Sequence, residues 1–247
     1  MAPIRTADDA ALVRRARWTL FISVAVTLAL YVVPYGYYVA YPLILISTVV
    51  HELGHGIAAL LVGADFVDFR MWADGSGRAL HSMSGGAFAR AFVAAGGLCG
   101  PAVAAGLFLA AGRDPKWARR CLGAFGLFLA VCLVLWVRGS FGMLFVGALA
   151  AACIGLAVIA SDQIGQLGLV FLAVQLALSV YSRSDYLFTK VAETATGPMP
   201  SDVQQMADAL AAPYWFWGGL CAAFSAAVLL IGGWTLVRGA HGRRAVR

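Results

Sequence analysis

Charged side chains are scarce in this sequence: Asp, Glu, Lys and Arg together make up 12% of its 247 residues. A soluble domain of this length carries about twice that share. With so few charges the chain cannot coat a water-facing surface, which excludes the soluble globular classes. Cysteine patterning is missing as well. Cys99, Cys121, Cys132, Cys153 and Cys221 sit mostly in apolar segments, without C-x-x-C or Cys–His spacing. That excludes a disulfide framework and a thiolate metal site, and leaves five small hydrophobes. Long polar stretches are also few: residues 1–17, 65–86, 112–120 and 182–211. None accommodates a PDZ-like or other folded extramembrane module. There is no internal repeat, no low-complexity segment, and no basic face with aromatic or polar readers, so no nucleic acid is expected as a partner.

What remains is apolar. The chain is 62% hydrophobic, with a mean hydropathy of +0.83. Windows long enough to span a bilayer, about 20 residues each, fall near 18–40, 42–64, 87–111, 121–137, 140–160, 163–182 and 213–237. The expected fold class is an all-α polytopic membrane protein of six or seven transmembrane helices, embedded in the lipid bilayer. The separators "VRGSFG" and "ASDQIG" are too short to settle the number of spans. Residues 1–247 read as a single integral-membrane domain: a basic N-terminal segment 1–17, a core over 42–210 and a basic tail over 238–247. Arg14, Arg15 and Arg17 precede the first apolar run as in a signal peptide. However, no small-residue cleavage pattern follows, so a retained anchor helix is expected. Pro34 and Gly36 suggest a kink or early stop, and Tyr41-Pro42 a tight turn into the second helix. The net charge of +6 lies at the N-terminus, in the short loops and in the tail. Basic residues at helix ends facing anionic lipid account for it. Alternating sides gives ten Lys/Arg against eight, which leans towards a cytoplasmic N-terminus. The expected setting is a bacterial plasma membrane.

The chemistry lies in the second span, "LISTVVHELGHGIAALLVG". On a helix His51 and His55 emerge on one face, four residues apart, and can grip one ion. Neutral imidazoles suit Zn²⁺, and a hydrolytic zinc takes three protein ligands and keeps one position open. Glu52 lies about 100° around the helix from His51 and can act as general base. The chain has only four histidines and two glutamates, and three of these six residues cluster here. A purely structural polar cluster inside an apolar helix would be costly, so the grouping points to function.

The third ligand is less plainly marked. His241 lies in the basic tail, and His81 follows the zinc helix in a loop, where it could line the site. The acids to weigh are Asp162, Asp185, Glu193, Asp202 and Asp208. If the sixth span continues through Leu187, it carries Asp185 to the membrane side where His55 lies. Asp185 is therefore the first choice and Asp202 the second. Asp162 falls on the opposite side. "SDVQQMADAL" reads as a short helix capped by Ser201 or Asp202, an ordinary structural role for that aspartate.

Two further stretches bear on the site. Residues 65–85, with alternating apolar residues around "DGSG", read as a β-hairpin or re-entrant loop. Its backbone can pair with an extended peptide by strand addition. "GGLCGP", Gly96 to Pro101, supplies small residues for a helix packed closely on the zinc helix. "PYWFWGG" reads as an interfacial aromatic belt.

The HELGH helix, the glycine-rich helix "AAGGLCGPAVAAG" and a downstream Ser-Asp in a membrane span resemble the site-2 protease family. These are intramembrane zinc metalloproteases of peptidase family M50, here its compact M50B-like branch. The resemblance covers about residues 42–210. It implies that His51, His55 and Asp185 bind zinc, that Glu52 activates water, and that the substrate is a membrane protein cleaved in or near a transmembrane segment. The chain lacks the Asn-Pro-rich, Asp-Gly-ending motif that usually presents the aspartate. The competing reading is a non-proteolytic metal-binding membrane protein, a transporter or scaffold. Glu52 argues against it, since a transport site needs no general base beside two histidines. Polytopic H-E-x-x-H proteases acting on prenylated peptides take a downstream glutamate, and Glu193 sits in a polar connector.

Overall fold

The computed structural model describes residues 7–82, 85–182, 185–195 and 197–238. Helix α1 (Ala7–Val32) is followed by α2 (Gly36–Leu61). The turn between them lies at Val33–Tyr35, seven residues earlier than the Tyr41-Pro42 turn expected from sequence. Two local effects set it there. Proline disfavours helical backbone at the residue before it, which is Val33, and Tyr35 adopts the left-handed region with φ 65°. Pro42 instead lies inside α2. Its missing N–H forfeits one helix hydrogen bond, which membrane helices tolerate when neighbours compensate. The apolar window 18–40 is therefore divided between two helices.

After α2 the chain forms an antiparallel hairpin, β1 (Asp65–Met71) and β2 (Gly77–Ser82). The hairpin is re-entrant: it runs back along α2, and the Gly75 carbonyl at its tip accepts from Thr48 Oγ1 at 2.8 Å. Asp74 closes the tip by accepting from the Ser76 N–H and hydroxyl at 2.9 and 2.7 Å. Helices α3 (Ala87–Ala111) and α4 (Pro115–Leu135) follow. The two-residue strand β3 (Val137–Arg138) then pairs parallel with β1, completing a sheet of order β2-β1-β3. The short "VRGSFG" separator holds that strand. Next come α5 (Ser140–Ile159) and α6 (Asp162–Ser182), then α7 (Asp185–Phe188). The polar connector folds into a second hairpin, β4 (Val191–Thr194) with β5 (Gly197–Pro200), and then α8 (Asp202–Leu210) before α9 (Tyr214–Arg238).

Six helical segments among the described residues are long and apolar enough to cross a membrane: Ala40–Leu61, Asp162–Val180, and the whole of α3, α4, α5 and α9. The chain is thus a polytopic, mostly helical integral-membrane protein. Its outer surface carries Leu127, Val134, Leu144, Val158, Leu230 and Ile231 exposed, as lipid-facing positions are. Buried apolar residues hold the helices in four groups among the described residues. The one that matters for the site joins Ala91, Ala94 and Leu98 of α3, Val203 and Met206 of α8, Leu187 of α7 and Cys221 of α9. It docks the amphipathic α8 against the bundle.

Candidate metal centre

α2 crosses α3 at glycines. A Cβ on Gly54 would come within 2.3 Å of the Gly96 carbonyl oxygen, so the backbones touch. This is the close approach that "GGLCGP" anticipates, and it has a chemical consequence. It brings the Val93 carbonyl of α3 to 2.8 Å from His55 Nδ1. An Nδ1–H donated to that carbonyl fixes the ring and leaves Nε2 with its lone pair free for a metal. Gly97 opens the space for the ring, since a Cβ there would lie 2.1 Å from His55 Nε2.

His51 and His55 project together as their spacing requires, their Nε2 atoms 3.2 Å apart. Asp202 meets both: Oδ2 lies 3.2 Å from His51 Nε2 and Oδ1 lies 3.4 Å from His55 Nε2. One ligand atom from each of the three residues falls within 4.8 Å of the others. Ser201 caps α8, its hydroxyl accepting from the Gln204 N–H at 3.2 Å. The Ser201 N–H in turn donates to the Lys190 carbonyl at 2.9 Å. With the cap supplied by Ser201, the Asp202 carboxylate turns to the histidines. Burial works upward on that carboxyl, but the imidazoles of His55 and His51 hold it below the usual carboxylate range.

Of the acids weighed from sequence, Asp202 is the one that reaches the histidine pair among the described residues. Asp185 opens α7, and its side chain lies outside the described residues. α6 is described to Ser182 and helix is described again over Asp185–Phe188, and the expected continuation through Leu187 turns on residues 183–184, which lie outside the described residues. Asp162 is paired with Arg119 Nε at 3.0 Å, Asp208 accepts from Gln204 at 2.7 Å, and Glu193 is exposed on β4. His241 lies outside the described residues. His81 faces inward on β2 and lines the same cavity as the histidine pair. Its Nδ1 is buried with no hydrogen-bond partner among the described residues.

Glu52 is 7% exposed and is covered by β2. A Cβ on Gly77 would come within 2.7 Å of its Cγ and 2.9 Å of its Oε1, so the backbone of β2 lies directly against the carboxylate. The cavity that holds these groups has a volume of about 510 Å³ and lies between β2 on one side and β5 with α8 on the other. Two imidazoles and a carboxylate match the nitrogen and oxygen donors that zinc takes. The tautomer held by Val93 and the gap left at Gly97 fit that role.

The sequence model of the family described as Peptidase M50B-like matches residues 21–232. The chain belongs to the Peptidase M50B-like family. No curated protein and no solved structure matches it. For this M50B-like chain the match runs from α1 to α9, so it covers the HELGH helix, both hairpins and α8. The second hairpin is the part of the centre that sequence reading missed, and the structure chooses Ser201 from the two caps that the sequence offered. The signal that marks this cap is the hydroxyl directly before Asp202, which makes capping by the aspartate unnecessary.

Proposed function

We propose that this membrane peptidase-family protein is an intramembrane zinc endopeptidase that hydrolyses peptide bonds in or near transmembrane segments of other membrane proteins. The observation that carries this reading is the convergence of His51, His55 and Asp202 beside a buried Glu52 packed under β2. His51, His55 and Asp202 would hold the ion, with Asp202 taking the role the resemblance implied for Asp185. When bound, zinc would supply the Lewis acidity that brings the pKa of water down to about 7. Glu52 takes the proton from the attacking water and delivers it to the leaving amide nitrogen, the work of a general base that becomes a general acid. The close packing of β2 at Gly77 holds its carboxylate in place and keeps bulk water from it. Strand β2 is an edge strand of its sheet, and an extended peptide can pair along it beside Glu52. A bacterial plasma membrane is the proposed location.

The test is Glu52→Gln in purified protein reconstituted with zinc and a transmembrane substrate. The variant is expected to fold, to keep zinc and to cleave nothing. Cleavage at the wild-type rate would sink the mechanism.

A further inference from the structure

The strand register aligns three arginines in one row. Arg70 of β1 sits opposite Arg78 of β2 and also opposite Arg138 of β3. Directly opposed residues share a face of a sheet, and like charges in such positions repel. Two of the three have local relief. Arg138 donates to the carbonyls of Val137 and Leu135 at 2.8 and 2.7 Å, and Arg70 lies 3.6 Å from the Asp68 carboxylate. Arg78, on the outermost strand of the row, has no carboxylate within ion-pair distance among the described residues. It is exposed and lines the catalytic cavity.

A second arginine stands with it. Arg90 on α3 is exposed, lines the same cavity, and likewise has no carboxylate within that distance among the described residues. Both lie close along the chain to the groups that shape the centre. Arg78 follows Gly77, which abuts Glu52, and Arg90 precedes by one helical turn Val93, whose carbonyl holds His55. A zinc ion with Asp202 and an ionised Glu52 would be neutral in sum, so these guanidiniums would stand largely uncompensated at the cavity. Guanidinium is suited to bidentate recognition of a carboxylate. A strand added to β2 would extend the arginine row by one position, where an acidic side chain opposite Arg78 relieves the repulsion.

We propose that Arg78 and Arg90 are specificity-determining residues that select substrates with an aspartate or glutamate beside the scissile bond. The proposal rests on the proteolytic reading of the site, and its test separates the two. Paired transmembrane peptides carrying an acid or its amide near the cleavage region are presented to zinc-loaded protein in phosphatidylcholine vesicles. kcat/KM is expected to favour the acidic peptide by about tenfold, the scale of one charge-assisted hydrogen bond. Arg78→Glu and Arg90→Glu should each shift the preference towards a lysine-bearing peptide, whereas the Lys substitutions should retain it. A role confined to folding would not invert the preference.

Binding of the same peptides to the Glu52→Gln variant, measured by fluorescence anisotropy, gives the arm that needs no cleavage. Tighter binding of the acidic peptide, lost in Glu52→Gln with Arg78→Gln and Arg90→Gln, supports the arginine assignment even if the wild type cleaves neither peptide. In that case the proteolytic reading alone would fall. Equal binding of acid and amide overturns the assignment. So does equal binding accompanied by arginine-dependent retention of phosphatidylglycerol, which would give the row to a lipid headgroup instead.

Discussion

Gly97 shows how little room the centre leaves for error. A single methyl there would lie 2.1 Å from His55 Nε2, with the imidazole already held from its other side by Val93. Gly97→Ala is therefore expected to lower zinc affinity by at least about tenfold, the range seen when groups supporting a metal ligand are disturbed. Zinc titration with a competing chelator reads this directly. The proposed third ligand is tested at the same scale. Asp202→Ala should empty purified protein of zinc, as His55→Ala should, while Asp185→Ala should leave the metal content at the wild-type level. Metal analysis of the three proteins side by side distinguishes the two aspartates, and zinc lost only from the Asp185 variant would reverse the assignment.

At the scale of elements, α8 depends on its cap and on one apolar face. Ser201 accepts from Gln204, while Val203 and Met206 pack on α3 and α9. Ser201→Ala removes the side-chain acceptor and is expected to cost about 1 kcal/mol of α8 stability. Since α8 carries Asp202, the loss should appear as weaker zinc binding with the fold intact. Unchanged zinc affinity would mean that α8 is held by packing alone. The hairpin of β1 and β2 illustrates a second dependence. Its alternating pattern was legible because inward Gly77, Ala79 and His81 alternate with exposed Arg78, Leu80 and Ser82. Its parallel partner β3 was not legible, because two residues carry no periodicity. The early stop suggested by Pro34 and Gly36 is where α1 ends, whereas the turn expected at Tyr41-Pro42 is not formed. Two prolines compete in residues 34–42, and the backbone at Val33–Tyr35 settles which one breaks the helix.

At the scale of the molecule, the centre joins two parts of the chain far apart in sequence, α2 and α8. Two of the candidate ligands come from within a membrane span and one from a short helix outside the spans. A metal bound by all three would tie α8 to the bundle, and binding to the folded form alone stabilises it by mass action. Chelation is accordingly expected to raise amide hydrogen exchange across Asp202–Leu210 more than in α4 or α5. Saturating zinc should raise the unfolding temperature, by the equivalent of about 2.7 kcal/mol at a hundredfold excess over Kd. Exchange in α8 that is indifferent to chelation would separate that helix from the metal.

The amino-acid sequence by itself determined the membrane class and most of the spans. It also determined the His51–Glu52–His55 constellation, because hydropathy and helical spacing act over a few turns. Asp202 could not be chosen that way. It stands about 150 residues from the histidines, and its sequence signature is that of an ordinary helix start. Only the tertiary structure brings it to them: the apolar face of α8 docks on α3 and α9, and Ser201 takes the cap. The carboxylate thereby comes within 3.4 Å of both imidazoles.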